Sequence, residues 1–246
     1  MNNIKSKFLL IQAAVFFTVF SSCEKNSDSI SPSGRITLES RSVDEYDGID
    51  ASTTFKVFVT FSAMEESIEI RANENLHDYI EVKEQGGNLV VKLMDGVNVS
   101  GGNLVLEAYV TTSDLSDFSV SEASSIFLQN ELNSSEVSID LSDASFFSGE
   151  INTTDLYCNL SGASVIELSG SATRLNLDVS DASTFKDYAL VVDVLSADIS
   201  GSSNVFITIY ETFTVSASGA SNLYYKGNGK NYNSDTSGAS NIIKVD

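Results

Sequence analysis

The sequence predicts an all-β protein built as a parallel β-helix, a solenoid of about 19–20 residues per coil. Three observations carry that expectation. A short motif, Ser-x-(Ala/Ser)-Ser, starts at Ser121, Ser142, Ser161, Ser180, Ser200, Ser218 and Ser237, with gaps of 21, 19, 19, 20, 18 and 19 residues. The segments on either side of each copy alternate apolar and polar residues, the period of a strand with one buried face. No 3.6-residue apolar stripe competes with it, and Ser, Thr and β-branched residues dominate.

Residues 1–22 have a basic start (Lys5, Lys7), an apolar run from Phe8 to Phe20 and small residues Ser21-Ser22 before Cys23. This is the layout of a secretory signal, and the run is shorter than the roughly 20 residues of an ordinary membrane span. Cys23 resembles the acylated cysteine of a bacterial lipobox, although Phe20 stands where Leu is usual. An acylated Cys23 would anchor the mature chain to a membrane, each buried CH₂ contributing about 0.8 kcal/mol. Residues 23–34 are polar, contain the one proline, Pro32, and are expected to be a flexible tether.

Residues 35–115 lack the motif yet remain rich in alternating stretches: Ile36–Leu38, Phe55–Phe61, Ile68–Ile70, Ile80–Val82, Leu89–Leu93 and Leu104–Val110. Gly86-Gly87-Asn88 signals a hairpin turn, and residues 73–78 suit one helical turn. The expectation is a set of irregular opening coils with a cap, since a solenoid must protect its first edge. A separate small β domain is the alternative.

Residues 116–246 hold the regular repeats. Two residues past each motif stand Ile126, Phe147, Ile166, Phe185, Val205, Leu223 and Ile242, always apolar. Three residues before it stand Phe118, Ile139, Cys158, Leu177, Ala197, Val215 and Ser234. Stacked about 4.8 Å apart, seven such coils span roughly 29 Å. Small residues at the motif suit a cramped corner. Gly162, Gly201, Gly219 and Gly238 at its second position suggest a backbone that disfavours a Cβ; Asp143 and Asp181 tolerate it better than Glu122.

Together the stretches Tyr46-Asp-Gly-Ile49, Phe55-Lys-Val-Phe-Val59, Ile68-Glu-Ile-Arg-Ala-Asn-Glu-Asn-Leu76 with Tyr79-Ile80, and the Ser-Gly-Ala-Ser-Asn copies resemble the putative auto-transporter adhesin, head GIN domain family of secreted Gram-negative proteins. The resemblance covers about residues 44–246. It implies a right-handed β-helix of pectin-lyase-like shape, no settled catalytic site and a role in adhesion.

Charge and composition narrow the function. The 246 residues carry 14 Lys plus Arg against 34 Asp plus Glu, a net charge of −20. Removing residues 1–22 takes away two Lys and leaves −22. Nucleic acid is therefore not an expected partner, because phosphate binding depends on Lys and Arg. One His and two Cys cannot supply a zinc site, and no metal or cofactor is expected.

The outward column two residues before the motif reads Ser119, Asp140, Asn159, Asp178, Asp198, Ser216 and Asp235. Asp140, Asp178, Asp198 and the corner residue Asp181 are candidates for a cation or ligand surface, since close carboxylates recruit cations such as Ca²⁺. Two carboxylates can also serve a glycosidase. The plainer reading is a solvated acidic face. A lyase would need a base and a cationic stabiliser beside its acids, and residues 116–246 contain five Lys and Arg and no His. His77, in an expected surface turn, is a poor triad member. No enzymatic activity is expected.

Cys158 reads as a buried inert thiol, and Asn204, Asn222 and Asn241 as a structural amide ladder. Tyr224, Tyr225 and Tyr232 are candidates for glycan or partner contact; covering an imperfect last coil is the alternative. The expected function is that of an envelope lipoprotein, lipid-anchored and placed at the outer membrane, that displays a rigid β-helix for adhesion to a surface glycan or protein. A carbohydrate-binding or carbohydrate-active β-helix is the alternative.

Overall fold

Every motif copy forms a corner, and its residue types follow from the backbone there. A computed structural model describes residues 29–246; the expected signal segment and Cys23 lie outside the described residues. The second motif residue takes left-handed dihedrals in every copy, and in the first three copies the third does too: Glu122 and Ala123 (φ 52° and 60°), Asp143 and Ala144 (54° and 62°) and Gly162 and Ala163 (64° and 68°). At Gly201 a Cβ would also lie 2.4 Å from the Asp181 carbonyl oxygen on the coil below. The fourth residue is a Ser, buried in every copy but the last, and at Ser145, Ser164, Ser221 and Ser240 its hydroxyl closes the corner. Ser145 Oγ donates to the Ser142 carbonyl at 2.5 Å and Ser164 Oγ to the Ser161 carbonyl at 2.7 Å. The Ser145 N–H in turn donates to Ser164 Oγ at 3.2 Å, which joins successive coils.

The chain runs in order through β1 (Ile36–Arg41), β2 (Gly48–Ala51), β3 (Lys56–Phe61), β4 (Ser67–Asn73), a 3₁₀ helix (Glu74–Tyr79), β5 (Ile80–Gln85), β6 (Asn88–Leu93) and β7 (Leu106–Thr112). The regular part follows as β8 (Asp117–Val120), β9 (Ser125–Leu128), β10 (Leu132–Leu141), β11 (Phe146–Leu160), β12 (Val165–Val179) and β13 (Thr184–Lys186). It ends with β14 (Leu190–Ile199), β15 (Asn204–Ala217), β16 (Asn222–Lys226), β17 (Lys230–Thr236) and β18 (Asn241–Lys244).

From β8 onward each coil stacks in parallel on the one before. Ile126 faces Phe147, then Ile166, Phe185, Val205, Leu223 and Ile242 in unbroken register. All but Ile242 are fully buried. The column before the motif is equally continuous from Phe118 through Ile139, Cys158, Leu177, Ala197 and Val215 to Ser234. The result is a β-solenoid of about 7 turns with one apolar core along its axis. Burial of each large apolar side chain contributes about 1.5–3 kcal/mol.

The first rung is hidden in the sequence. Ser52-Thr53-Thr54-Phe55 forms the same corner, with φ of 56° at Thr53 and 62° at Thr54. Its arms β2 and β3 lie in parallel register under β8 and β9, so Ile49 faces Phe118 and Val57 faces Ile126. Residues 62–115 intervene between these rungs in sequence. Within them β6 and β7 add a rung on the other side of β2 and β3. There β5 pairs antiparallel with β6, and β4 with β7 and β1, so the stack ends in antiparallel strands. Gly86-Gly87 makes the expected hairpin turn, with φ of 67° and 91°.

The segment expected to be free is held down from Ile30. Ile30 forms a parallel bridge to Val99, and the Ser33 N–H donates to Asn75 Oδ1 at 2.8 Å. Asn73 Nδ2 donates to the Ser33 carbonyl at 2.7 Å and Asn75 Nδ2 to the Ser31 carbonyl at 2.9 Å. Side-chain amides of the 3₁₀ region thus satisfy a backbone that polarity alone leaves looking unstructured.

At the far end the solenoid stops by changing its inward residues. Phe213, Val215 and Ala217 give way on β17 to Asn231, Ser234 and Thr236, and all seven residues of β17 are exposed. Among the described residues no helix is long and apolar enough to cross a membrane.

Candidate functional site

The aspartate column is real in space. On the outer face of the strands that lead into the corners, Ser119, Asp140, Asn159, Asp178, Asp198, Ser216 and Asp235 occupy one register line. Alternation along each strand points them outward, because their neighbours on both sides fill the core. Asn159 Nδ2 donates to Asp140 Oδ1 at 2.6 Å, so an amide separates Asp140 from Asp178. Asp178 and Asp198 are direct lateral neighbours, about one strand spacing apart. Asp181 does not join them. It turns around the corner, and its Oδ2 accepts the Gly162 N–H at 3.1 Å.

Two shallow grooves flank this line. One, of about 370 Å³, is bordered by Asp140, Asn159, Asp178 and the corner residues Ser142, Ser161 and Ser180. The other, of about 350 Å³, lies beside Tyr157, Asn176, Ser196 and Asp198. Hydroxyl, amide and carboxylate groups line both, with Leu141 and Leu160 at the first and Leu177 and Ala197 at the second. Among the described residues no three His, Cys, Asp or Glu side chains are grouped to hold a metal ion.

Cross-coil pairs organise the rest of the outer surface. Arg174 Nε and Nη2 each reach an Asp155 oxygen at 2.5 Å, a bidentate fork, and the Arg174 hydrogen bonds hold the Asp155 carboxyl below its ordinary value. Lys186 pairs with Glu167. Asn222 Nδ2 donates to Asn204 Oδ1 at 3.1 Å and Asn241 Nδ2 to Asn222 Oδ1 at 2.9 Å, which makes the asparagine column an amide ladder.

The three tyrosines do not converge. Tyr224 lies flat against Phe206, with centroids 4.9 Å apart and an interplanar angle of 8°, while Tyr188 meets Phe206 edge-on. One face of Tyr224 is therefore covered. Lys226 Nζ stands 4.8 Å over the Tyr188 ring. Tyr225 packs against Phe213 and the core. Tyr232 is 85% exposed, on β17 in the other sheet face.

Two features escaped the sequence reading. Phe58 stacks between Tyr109 and Phe127 at 5.1 and 5.2 Å, and Phe146 tilts onto Phe127. In this outer aromatic ladder Phe58 and Phe127 occupy the same place, three residues past the corner, as Phe206 and Tyr224, whereas Phe146 joins them from one residue past its corner. Extending the column alignment to Ser52 would have found it. The second feature is an acidic cleft of about 530 Å³ between the segments entering β2 and β8, lined by Asp44, Glu45, Asp47, Glu66, Asp114 and Tyr46. Burial pushes the Tyr46 phenol up. No motif marks it, because its walls come from distant loops.

His77 is not on the surface. It is 5% exposed on the 3₁₀ helix, whose Leu76 is fully buried, and its Nδ1 lies 3.6 Å from Glu39 Oε2. Cys158 is buried between Ile139 and Leu177, and burial pushes its thiol far up.

The fold and the site together define a β-solenoid with laddered polar faces and one continuous apolar axis. The chain belongs to the family described as putative auto-transporter adhesin, head GIN domain, whose sequence pattern matches residues 45–229. It is similar to a putative adhesin of Bacteroides fragilis at 18% identity, over 88% of this chain and 100% of that one, with a TM-score of 0.82. A putative adhesin of Parabacteroides merdae is similar at 17% identity, over 89% of this chain and 100% of that one, with a TM-score of 0.68. A putative lipid binding protein of Parabacteroides distasonis is similar at 17% identity over the same shares, with a TM-score of 0.71. At these identities the likeness speaks for the fold. No curated protein matches the chain.

Proposed function

We propose that the chain is a non-enzymatic lipoprotein of the cell envelope, anchored through Cys23, that presents its solenoid for adhesion. The observation that supports this reading is the register line Asp140, Asn159, Asp178, Asp198, repeated coil after coil on a flat exposed face. Such a face offers many equivalent weak contacts rather than one enclosed pocket, which suits adhesion by multivalency. Membership in the adhesin family supports the same conclusion. The outer membrane is the proposed location, with a surface glycan or protein as partner.

A second reading, carbohydrate binding, is favoured by the two grooves. Their hydroxyl, amide and carboxylate walls match the hydrogen-bonding groups of a sugar chain laid along the solenoid. The test is retention of purified full-length protein on acidic and neutral polysaccharides, with and without Ca²⁺, alongside Asp178→Asn and Asp198→Asn. Binding without turnover, weakened by both variants, supports the grooves as the contact. Release of sugar products that either variant abolishes overturns the non-enzymatic reading.

A further inference from the structure

We infer that the capped end of the solenoid rests on the lipid bilayer, through an apolar fringe on its corner side, and that the open last rung points away from it. The inference builds on the proposed acylation of Cys23 and adds the orientation and the contact surface.

Chain length decides which end lies near the membrane. Ile30 is bridged to Val99 at the capped end, and it follows Cys23 by seven residues. Seven residues span at most about 25 Å when fully extended. The solenoid of about 7 turns is itself roughly 29 Å long, with six strand spacings between its turns. An acyl chain at Cys23 therefore keeps the cap within about 25 Å of the headgroups.

The side chains at that end suit such a neighbour. Among the described residues the exposed large aliphatic or thioether side chains are Ile36, Leu38, Met64, Met94, Leu104 and Ile243, and all but Ile243 belong to the cap. Elsewhere the large exposed apolar residues are tyrosines, Tyr157, Tyr210 and Tyr232. Four of the cap residues gather where the chain enters. Ile36 faces Asn73 in the β1–β4 register, and Leu38 follows on β1. Asn73 Nδ2 donates to the Asn103 carbonyl at 3.0 Å and Asn73 Oδ1 accepts the Val105 N–H at 2.8 Å, which places Leu104 beside them. The Met94 N–H donates to the carbonyl of Tyr79, itself 39% exposed, at 2.9 Å. A fringe of aliphatic residues with a tyrosine suits the headgroup boundary.

Charge favours the same side. Three carboxylates near the fringe are held by cations, Glu74 by Arg35 and Asp95 by Lys92, each at 2.8 Å, and Glu107 by Arg71 at 2.7 Å, while Asp78 beside Tyr79 is exposed. The acidic cleft lies at the other ends of β2 and β8, away from the corners. On the repeats Asp178 and Asp198 stand side by side with no cation partner among the described residues, and such a face would be repelled by anionic lipid.

The test uses the full-length chain expressed with its signal, with a fluorophore on Leu104→Cys, Met94→Cys, Tyr210→Cys or Tyr232→Cys. Each is reconstituted into phosphatidylethanolamine and phosphatidylglycerol vesicles that carry nitroxide-labelled headgroups. All four sites are exposed, and Met94→Cys serves if Leu104→Cys misfolds. The expected result is several-fold stronger quenching at Leu104 and Met94 than at Tyr210 and Tyr232. Equal quenching at all four means a solenoid lying flat and overturns the inference. Quenching at none, with an acyl chain found on Cys23 by mass spectrometry, overturns the contact and leaves the lipoprotein reading standing. An unmodified Cys23 overturns both.

Discussion

Gly201 and Glu122 hold equivalent corner positions and tolerate change in opposite ways. Both are left-handed, but a Cβ at Gly201 meets the Asp181 carbonyl at 2.4 Å. Gly201→Ala is expected to cost more than the about 1–2 kcal/mol of the left-handed backbone, because a fixed backbone oxygen must also move. Glu122→Gly should be neutral or stabilising, since it removes that strain. Urea midpoints of the two variants check this, and equal shifts would contradict the corner geometry. Cys158 offers a second check at this scale. Buried, and with its thiol kept protonated, it should react with a maleimide only after denaturation.

At the scale of strands, inner and outer aromatic columns differ in what they hold. Phe147 is fully buried in the inner column and packs edge-on against Phe118. Phe147→Ala should therefore destabilise by about 3–5 kcal/mol. Phe58 is half-buried in the outer ladder, and Phe58→Ala should cost clearly less, which thermal unfolding of the pair would reveal. The Arg174–Asp155 fork between β12 and β11 carries a pH dependence. The Asp155 carboxyl is depressed in the folded chain, so its contribution is present above the ordinary carboxylate value and is lost as pH falls through the lower, folded one. Both groups face solvent, so salt should weaken the effect. The stability gap between the wild type and Asp155→Asn should be measurable at neutral pH and vanish under strongly acidic conditions.

For the whole molecule, a one-dimensional stack unfolds most readily from its least protected end. The cap closes one end with antiparallel strands, whereas β17 is exposed throughout and its inward positions are polar. Hydrogen exchange should therefore be fastest in β17 and β18 and slowest in β11 and β12. Uniform exchange along the solenoid would mean that the last rung is as firmly held as the middle. The polar residues Asn231, Ser234 and Thr236 also disfavour growth at the open edge: a further strand laid on it would bury polar groups.

The repeats were legible because each coil uses one short corner and one alternation period, so a column such as Ile126, Phe147 and Ile166 can be aligned without coordinates. The aspartate column and the buried Cys158 followed from the same register. Tertiary structure alone decided the first rung: Thr53, Thr54 and Phe55 replace the small residues of the motif, and residues 62–115 separate β3 from its neighbour β9. It also decided the burial of His77, the anchoring of Ile30 to Val99, the acidic cleft and the dispersal of Tyr224, Tyr225 and Tyr232. The physical reason is common to all of these. Periodicity reports which face of a local segment is buried, whereas contacts between segments far apart in the chain depend on which strand edges come together, and no local pattern records that pairing.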